Sequence, residues 1–500
     1  MAAIITEKFR LHNATQFTES FTEASASVYY LFLGKSAPFS SATSGGSDAS
    51  PPSPADSVED TEYYSWDSML GAKKIASSDL TRAIVRRNFS NGTTYDMYEH
   101  NVSSDNTTTS GASNIYDGTF YFLTSANRVY KVLDNNDGSA YSGSEPTSES
   151  TSPFALGGYV LKYMYSISSS DAAKFLTTDF MPVETDSTVS AAATDGAIES
   201  LVITAGSGYT DGTYYAAVYG DGTSQGTSSG AIVRLTVSGG AIATFGLTAG
   251  SDTTIHDGGA AYTYGTVNLG SSYTFSDSSL SSASSMGSGS GGVVQVVISP
   301  KSGHGADAVA ELGGHYVMMA TTLTAAEGDD ITTENDFRKL GIVVDPHTFG
   351  TTSVATVATA RLTYAIKLTS QSGTFDGDEK ISQATTGACG KVVEWDSANS
   401  ILYYSQERFG DYGTATANGG YTAFSGANVI TGATSGATGT PDASADSAVT
   451  LAGGNTITFS DGYANPELQP DSGNIIYREN RKPISRATDQ TEDIKIIVEF

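Results

Sequence analysis

Two stretches of this chain repeat themselves, and the repeats constrain its architecture more than any other feature. Phe375-Asp376-Gly377-Asp378-Glu379-Lys380-Ile381, with Thr385-Thr386-Gly387-Ala388-Cys389-Gly390, returns 49 residues on. The second copy is Phe424-Ser425-Gly426-Ala427-Asn428-Val429-Ile430, with Thr434-Ser435-Gly436-Ala437-Thr438-Gly439. Earlier, Ala197-Ile198-Glu199-Ser200-Leu201-Val202-Ile203-Thr204-Ala205-Gly206 returns 44 residues on at Ala241–Gly250, and the copies lead on to Tyr209 and Tyr262. Each copy is an apolar stretch bounded by glycine, serine and threonine, the pattern of strands between turns. A solenoid needs roughly three or more copies. Two copies predict paired strands within one small β domain.

The rest of the composition agrees. Glycine numbers 54, tyrosine 28 and phenylalanine 20, while only 16% of residues are charged. That mixture predicts a β-rich chain with many turns rather than a helical one. Aromatic and β-branched residues recur throughout, which argues against disorder. A chain of 500 residues is too long for one hydrophobic core, so two to four domains are expected.

Charge and cysteine usage narrow the function classes. There are 54 acidic residues against 26 basic ones, a net charge of −28. Phosphate backbones demand clustered lysine and arginine, so nucleic acid is not an expected partner. The single cysteine, Cys389, permits no intrachain disulfide. Met1–Arg10 has no apolar stretch of signal-peptide length, and no apolar run approaches the length of a membrane span. Five Asn-x-Ser/Thr sequons, at Asn13, Asn88, Asn91, Asn101 and Asn106, read as accidents of an Asn/Ser/Thr-rich chain.

Residues 6–22 read as a helical or mixed segment, and 28–34 as a buried strand stopped by Gly34. Residues 40–54 form a Ser/Gly/Pro loop, and Ser65–Gly71 has the spacing of a short helix ended by glycine. Strands are expected at 129–134, 159–167, 293–298 and 337–346, and at Ala231–Gly240, closed by a Gly-Gly turn. From 187 to 291 and from 351 to 463 the composition shifts to Gly, Ser, Thr and Ala. Ser271–Gly291 reads as a linker.

The last 28 residues escape this bias. Tyr477-Arg478-Glu479-Asn480-Arg481-Lys482-Pro483-Ile484 is charged and varied, and Ile494–Phe500 reads as a partly alternating strand that would tie the C-terminus into a sheet. This segment resembles the C-terminus of the gene-product-eight family, the baseplate wedge proteins of T4-like contractile tails. Those proteins share a Tyr-x-Glu-Asn-Arg-x-Pro-Ile segment followed by an Asp-Gln-Thr-Glu strand, here Asp489-Gln490-Thr491-Glu492. Ala3–Arg10, Phe32–Ser41, Asp56-Ser57-Val58, Trp66–Arg87 and Gly158-Tyr159-Val160 with Tyr163 are similar to further family segments, in the family's order. Phe337–Pro346 is similar to another.

The resemblance, joined to the composition shifts, implies a mainly β, multi-domain chain with a mixed α/β core whose sheets are interrupted by two Gly/Ser/Thr-rich β insertions. The expected pieces are an α/β core piece at 1–186, an inserted domain at 187–291 and a second core piece at 292–350. A second inserted domain at 351–463 and a C-terminal core segment at 464–500 complete them.

Catalytic and metal-binding patterns are weak. The six histidines (His12, His100, His256, His304, His315, His347) are scattered, and only Lys301–Asp307 with nearby His315 forms a cluster. A zinc site needs three or four ligands at paired spacing, so a structural histidine is expected there. Asp134-Asn135-Asn136-Asp137-Gly138 with Glu145 has its glycine one position early for a calcium loop. It and Asp376–Glu379 read as turns. Two G-x-S-x-G matches, at 222–226 and 226–230, lack the strand-to-helix context of a nucleophile elbow.

The function that the resemblance implies is structural: a component of a contractile-tail baseplate wedge, in the virion and assembled in the host cytoplasm. The resemblance implies a homodimer that binds neighbouring wedge proteins, without enzymatic activity, cofactor, nucleic acid, membrane or small-molecule substrate. The alternative is a receptor- or glycan-binding tail adhesin using exposed aromatics of the insertions. An adhesin binds cells or glycans alone, whereas a wedge protein co-assembles with tail proteins. The candidate interface is Tyr477, Arg478, Asn480, Arg481, Lys482 and Arg486, a basic cluster in an acidic chain. Arginine favours bidentate contacts with a partner's carboxylates; the alternative reading of the cluster is a set of intrachain salt bridges.

Overall fold

The computed structural model describes residues 6–40, 45–222, 230–244, 253–324, 329–332, 335–408, 420–485, 487 and 489–500. It is mainly β, with 38% strand against 11% helix, as the composition predicts. The chain forms two compact units. One comprises 1–16, 81–318 and 497–500, and the other 17–80 and 319–496.

In the first unit a four-stranded antiparallel sheet has the order Tyr121–Leu123, Arg128–Asp134, Tyr159–Ser166, Phe154–Leu156. Strand alternation splits its side chains between two apolar clusters. Phe122, Tyr130, Val132, Tyr159, Leu161 and Tyr163 enter one, joined by Val189 of the Ser187–Ala192 helix. Tyr121, Leu123, Val129 and Met164 enter the other, with Ala308 and Leu312. Lys131 and Lys162 stand opposite each other on the paired central strands, and both are buried.

A further cluster in this unit is drawn from residues 198–298 alone. Gly212–Gly220 pairs with Ile232–Ser238, which is the strand closed by Gly239 and Gly240. Tyr214, Ala216 and Val218 face the cluster from one strand, and Val233, Leu235 and Val237 from the next. Val293–Ile298, expected to open the second core piece, instead pairs with Ile198–Thr204 and buries Val294, Val296 and Ile298 in this same cluster. Ser271–Gly291 is not an open linker. Phe275, Ala283 and Met286 are buried, and the Thr210 amide donates to the Met286 carbonyl. Three apolar anchors suffice to pin a Ser/Gly-rich stretch. The two copies of the first repeat play different parts. Ile198–Thr204 pairs with Val293–Ile298, Ala241–Ile242 pairs with Val237–Ser238, and 245–250 lie outside the described residues.

The second unit holds a five-stranded antiparallel sheet in the order Thr359–Arg361, Met69–Ile75, Tyr29–Gly34, Phe337–Val344, Asn474–Ile484. Every residue of Tyr29–Gly34 and of Phe337–Val344 is buried, as befits strands covered on both faces. Tyr30, Phe32, Trp66, Met69, Ala72, Val343 and Leu468 share a cluster on one face. On Tyr29, rings from Phe17 and Phe21 gather with centroids 5.6 and 4.0 Å away. The helix expected at Ser65–Gly71 is confined to Tyr64–Asp67, and Met69–Ile75 is a strand. Gly71 is no helix stop: a Cβ there would meet Ile331 Cγ1 at 2.7 Å, so the glycine permits a close crossing within the sheet.

The same unit contains a barrel. Strands Ile401–Ser405, Ala388–Asp396, Lys380–Gln383, Ile430–Gly432, Thr438–Pro441 and Tyr364–Ser372 pair in that order, and the last returns to the first. Closure leaves no free edge. The second repeat builds it. Each copy makes a hairpin, Lys380–Gln383 with Ala388–Asp396 and Ile430–Gly432 with Thr438–Pro441. The hairpins join where Ile381 meets Gly432 and Ser382 meets Thr431. Equivalent residues Phe375 and Phe424, Ile381 and Ile430, and Ala388 and Ala437 are all buried in one cluster.

Candidate functional site

The charged C-terminal segment forms the outermost strand of the five-stranded sheet, Asn474–Ile484 beside Phe337–Val344. The register opposes Ile342 to Tyr477, Gly341 to Arg478 and Lys339 to Asn480. Gly341 is required at this crossing, since a Cβ would lie 2.3 Å from the Tyr477 carbonyl oxygen and 2.5 Å from Phe32. The register slips between Ile342 and Val343, where Ile476 is the extra residue of the outer strand and is 50% exposed. A bulge of this kind turns a side chain outward.

The candidate residues divide by what they touch. Arg478 Nη2 donates to the Ala55 carbonyl, and Asn480 Nδ2 donates to the Pro52 carbonyl at 3.0 Å. These two side chains hold the Ser/Pro loop of their own chain against the outer strand. Asn480 Oδ1 is buried with no hydrogen-bond partner. The Tyr477 hydroxyl donates to Glu479 Oε2 at 3.0 Å. Burial, reinforced by Glu479, pushes its pKa up to about 12. Arg481 is half-buried and Lys482 exposed, while Arg486 lies outside the described residues. Ile476 and Lys482 are thus the exposed side chains beside half-buried Arg481 on this outer strand.

His304 lies in a second polar group, in the first unit. Lys131 Nζ is 2.9 Å from His304 Nδ1 and 2.8 Å from Glu311 Oε2, with side-chain exposures of 0%, 0% and 2%. The other carboxylate oxygen, Glu311 Oε1, accepts from the Gly305 amide at 2.7 Å and the Asp307 amide at 3.3 Å. The Tyr98 ring lies 3.9 Å from Lys131 Nζ and stands edge-on to the imidazole. Desolvation lowers the Lys131 pKa, partly offset by Glu311. Desolvation, aided by Lys131 and Lys162, holds His304 neutral. With the lysine as donor, Nδ1 accepts and Nε2 carries the imidazole proton; Nε2 is buried without a hydrogen-bond partner. Only His304 was legible as a candidate. Lys131 and Glu311 resemble any strand lysine and helix glutamate, and 180 residues separate them.

The remaining sequence candidates resolve individually. His315 sits on Arg10, with Nε2 3.1 Å from Arg10 Nη1, and not beside His304. Asp134 closes a turn by accepting from the Asn136 amide at 2.8 Å, and burial raises its pKa to about 6. Glu145 instead binds the Ser125 amide at 3.1 Å. Among the described residues no group of three or more His, Cys, Asp or Glu could hold a metal ion. The G-x-S-x-G serines Ser224 and Ser228 fall outside the described residues. No described helix is long and apolar enough to cross a membrane.

No curated protein matches the chain. Residues 3–142 and 445–500 match the family model described as Bacteriophage T4, Gp8, a structural protein of the baseplate wedge. The first matched segment contains Tyr29–Gly34 and Met69–Ile75 and the second contains Asn474–Ile484, so both segments contribute strands to one sheet. The chain is therefore Gp8-like over both matched segments, with insertions between them.

Proposed function

We propose that this chain is a non-enzymatic structural component of the baseplate wedge of a contractile-tailed bacteriophage. It pairs with a second copy of itself and binds neighbouring wedge proteins in the tail baseplate, after assembly in the host cytoplasm. The observation that carries this reading is the family match at both ends of the chain. Two self-contained apolar clusters, within 198–298 and within 366–437, support reading the intervening sequence as inserted β domains. The binding face assigned to assembly is the Asn474–Ile484 outer strand around Ile476, Arg481 and Lys482. Such an edge offers backbone groups as well as side chains.

The test is co-expression with the tail proteins encoded beside this gene, followed by size-exclusion chromatography at two salt concentrations. The expected result is a defined complex. Arg481→Glu with Lys482→Glu should weaken it, because like charges placed across an interface cost several kcal/mol. Arg478 is spared, since it holds the Ala55 carbonyl. No complex with any tail protein would overturn the wedge reading. A complex unaffected by the double substitution, with unchanged salt dependence, would overturn only the choice of strand.

A further inference from the structure

The Lys131–His304–Glu311 group is more than an ion pair in its arrangement. An amine, a carboxylate, a neutral imidazole and two backbone N–H donors converge where almost no water reaches. Each has the position that amide formation requires. Nζ, the nucleophile, is hydrogen-bonded to Oε2, the oxygen that must leave. His304 Nδ1 touches the same Nζ and is placed to relay its proton. Oε1, on which negative charge develops in the tetrahedral intermediate, already accepts from the Gly305 and Asp307 amides, the donor pair of an oxyanion hole. Gly305 has φ +87°, a conformation that favours glycine, and a Cβ there would lie 2.5 Å from Val189 Cγ1. The Tyr98 ring covers the amine.

We infer that Lys131 and Glu311 join in a covalent isopeptide bond, formed once per chain by the protein itself. The ammonium and the carboxylate become an amide and one water. The Nζ–Cδ bond forms and the Cδ–Oε2 bond breaks. One Nζ proton passes to the carboxylate as the pair neutralises, a second passes through His304 Nδ1 to the departing oxygen, and the third remains on the amide nitrogen. No oxidant or co-reactant is needed. The burial that lowers the Lys131 pKa favours the free amine, and the burial that keeps His304 neutral leaves Nδ1 able to accept. Fixed juxtaposition supplies the effective concentration that makes such a condensation feasible. The product clamps the Arg128–Asp134 strand to the Ala308–Glu311 helix, closing a loop that contains the whole 198–298 cluster. This inference does not depend on the wedge reading.

The experiment is intact-mass spectrometry of the purified full-length chain under denaturing conditions, then tandem analysis of its tryptic peptides. The expected mass is lower than the sequence mass by one water. The expected peptide is a branched one joining the segments that contain Lys131 and Glu311, with no cleavage after Lys131. Lys131→Met should restore the full mass. His304→Gln should lower the cross-linked fraction in freshly made protein; an unchanged fraction would overturn the role given to the imidazole. A wild-type chain of full sequence mass would overturn the bond and leave a buried ion pair. So would a water loss mapped elsewhere, such as an aspartyl-glycine succinimide.

Discussion

Glu379 offers the sharpest test of how the repeat builds the barrel. Its carboxylate sits where the two hairpins join and is 5% exposed. Oε2 accepts from the Thr434 amide at 2.9 Å and the Ser435 amide at 3.0 Å. Oε1 accepts from the Asp376 amide at 2.8 Å and the Ser435 hydroxyl at 2.7 Å. A carboxylate of the first copy thus closes the turn of the second. Glutamine keeps the size, and in its better orientation its NH₂ faces the Asp376 amide and the Ser435 hydroxyl; the hydroxyl can turn to accept, so one backbone donor loses its acceptor. Leaving a buried donor unsatisfied costs about 1–3 kcal/mol, so Glu379→Gln should lose about 1–3 kcal/mol. For a unit of this size, residues 17–80 and 319–496, about 2 kcal/mol corresponds to a fall in melting temperature of roughly 4–8 °C.

Burial alone would raise the Glu379 pKa, and the hydrogen bonds from Ser435, Asp376 and Thr434 outweigh it, so the net shift is downward. A depressed carboxylate stabilises above its unfolded pKa, about 4.3, and that contribution fades as pH falls through the lower folded value. The variant should therefore show less acid sensitivity than the wild type below about pH 4. Calorimetry gives the melting shift, and hydrogen exchange at the Asp376, Thr434 and Ser435 amides localises it. Unchanged melting together with unchanged exchange would refute the claim that this carboxylate joins the copies.

Further outcomes follow from the same geometry. Phe375→Ala and Phe424→Ala occupy equivalent positions of the repeat in one cluster, so each should lose about 3–5 kcal/mol by denaturant titration; a near-neutral result at one would break the equivalence. His315 has its pKa lowered by desolvation and by Arg10 and Arg82, against Glu7 and Glu499. The unfolded chain takes up that proton first, so stability should fall as pH drops below about 6.5, and His315→Asn should flatten the fall measured between about pH 7 and pH 5.

Local pattern carried the strands well. The apolar run at Tyr29–Gly34 and the 49-residue repeat could be read because burial and turn chemistry are written in adjacent residues. What stayed hidden is what depends on distant partners. Gly71 looked like a helix stop because nothing nearby in sequence announces Ile331 beside it. Ser271–Gly291 looked like a linker because three anchors are lost among serines. Arg478 and Asn480 were legible as unusual residues, yet their contacts with Ala55 and Pro52 span more than 400 positions. The central strand Phe337–Val344 lies outside the family match, although strands from the two matched segments pair with either side of it. The unmatched stretch therefore cannot all be insertion: removing it would take out the middle of the sheet.

The first insertion can be cut more precisely than composition allows. Removing 187–291 would delete the Ser187–Ala192 helix, whose Val189 is buried with Tyr130 and Tyr159, and would strand Val293–Ile298 without its partner Ile198–Thr204. A cut further along is the better one to test. The Ser302 amide donates to Asp195 Oδ1 at 2.6 Å, so these two residues already stand side by side. Excising 196–301 and bridging them with two or three glycines removes the 198–298 cluster whole and takes no member from the two clusters around the Tyr121–Ser166 sheet. Short bridges between adjacent ends cost little loop entropy. The losses are few, chiefly the Ser200 hydroxyl on the Leu133 carbonyl and the Ile298 amide on His100 Nδ1. The shortened chain should stay soluble and keep a cooperative melting transition for the remaining first unit, within a few degrees of the parent. The 187–291 deletion should not. If the 196–301 deletion melted without cooperativity, or if both deletions behaved alike, the 198–298 cluster would be part of the unit's core and not an insertion upon it.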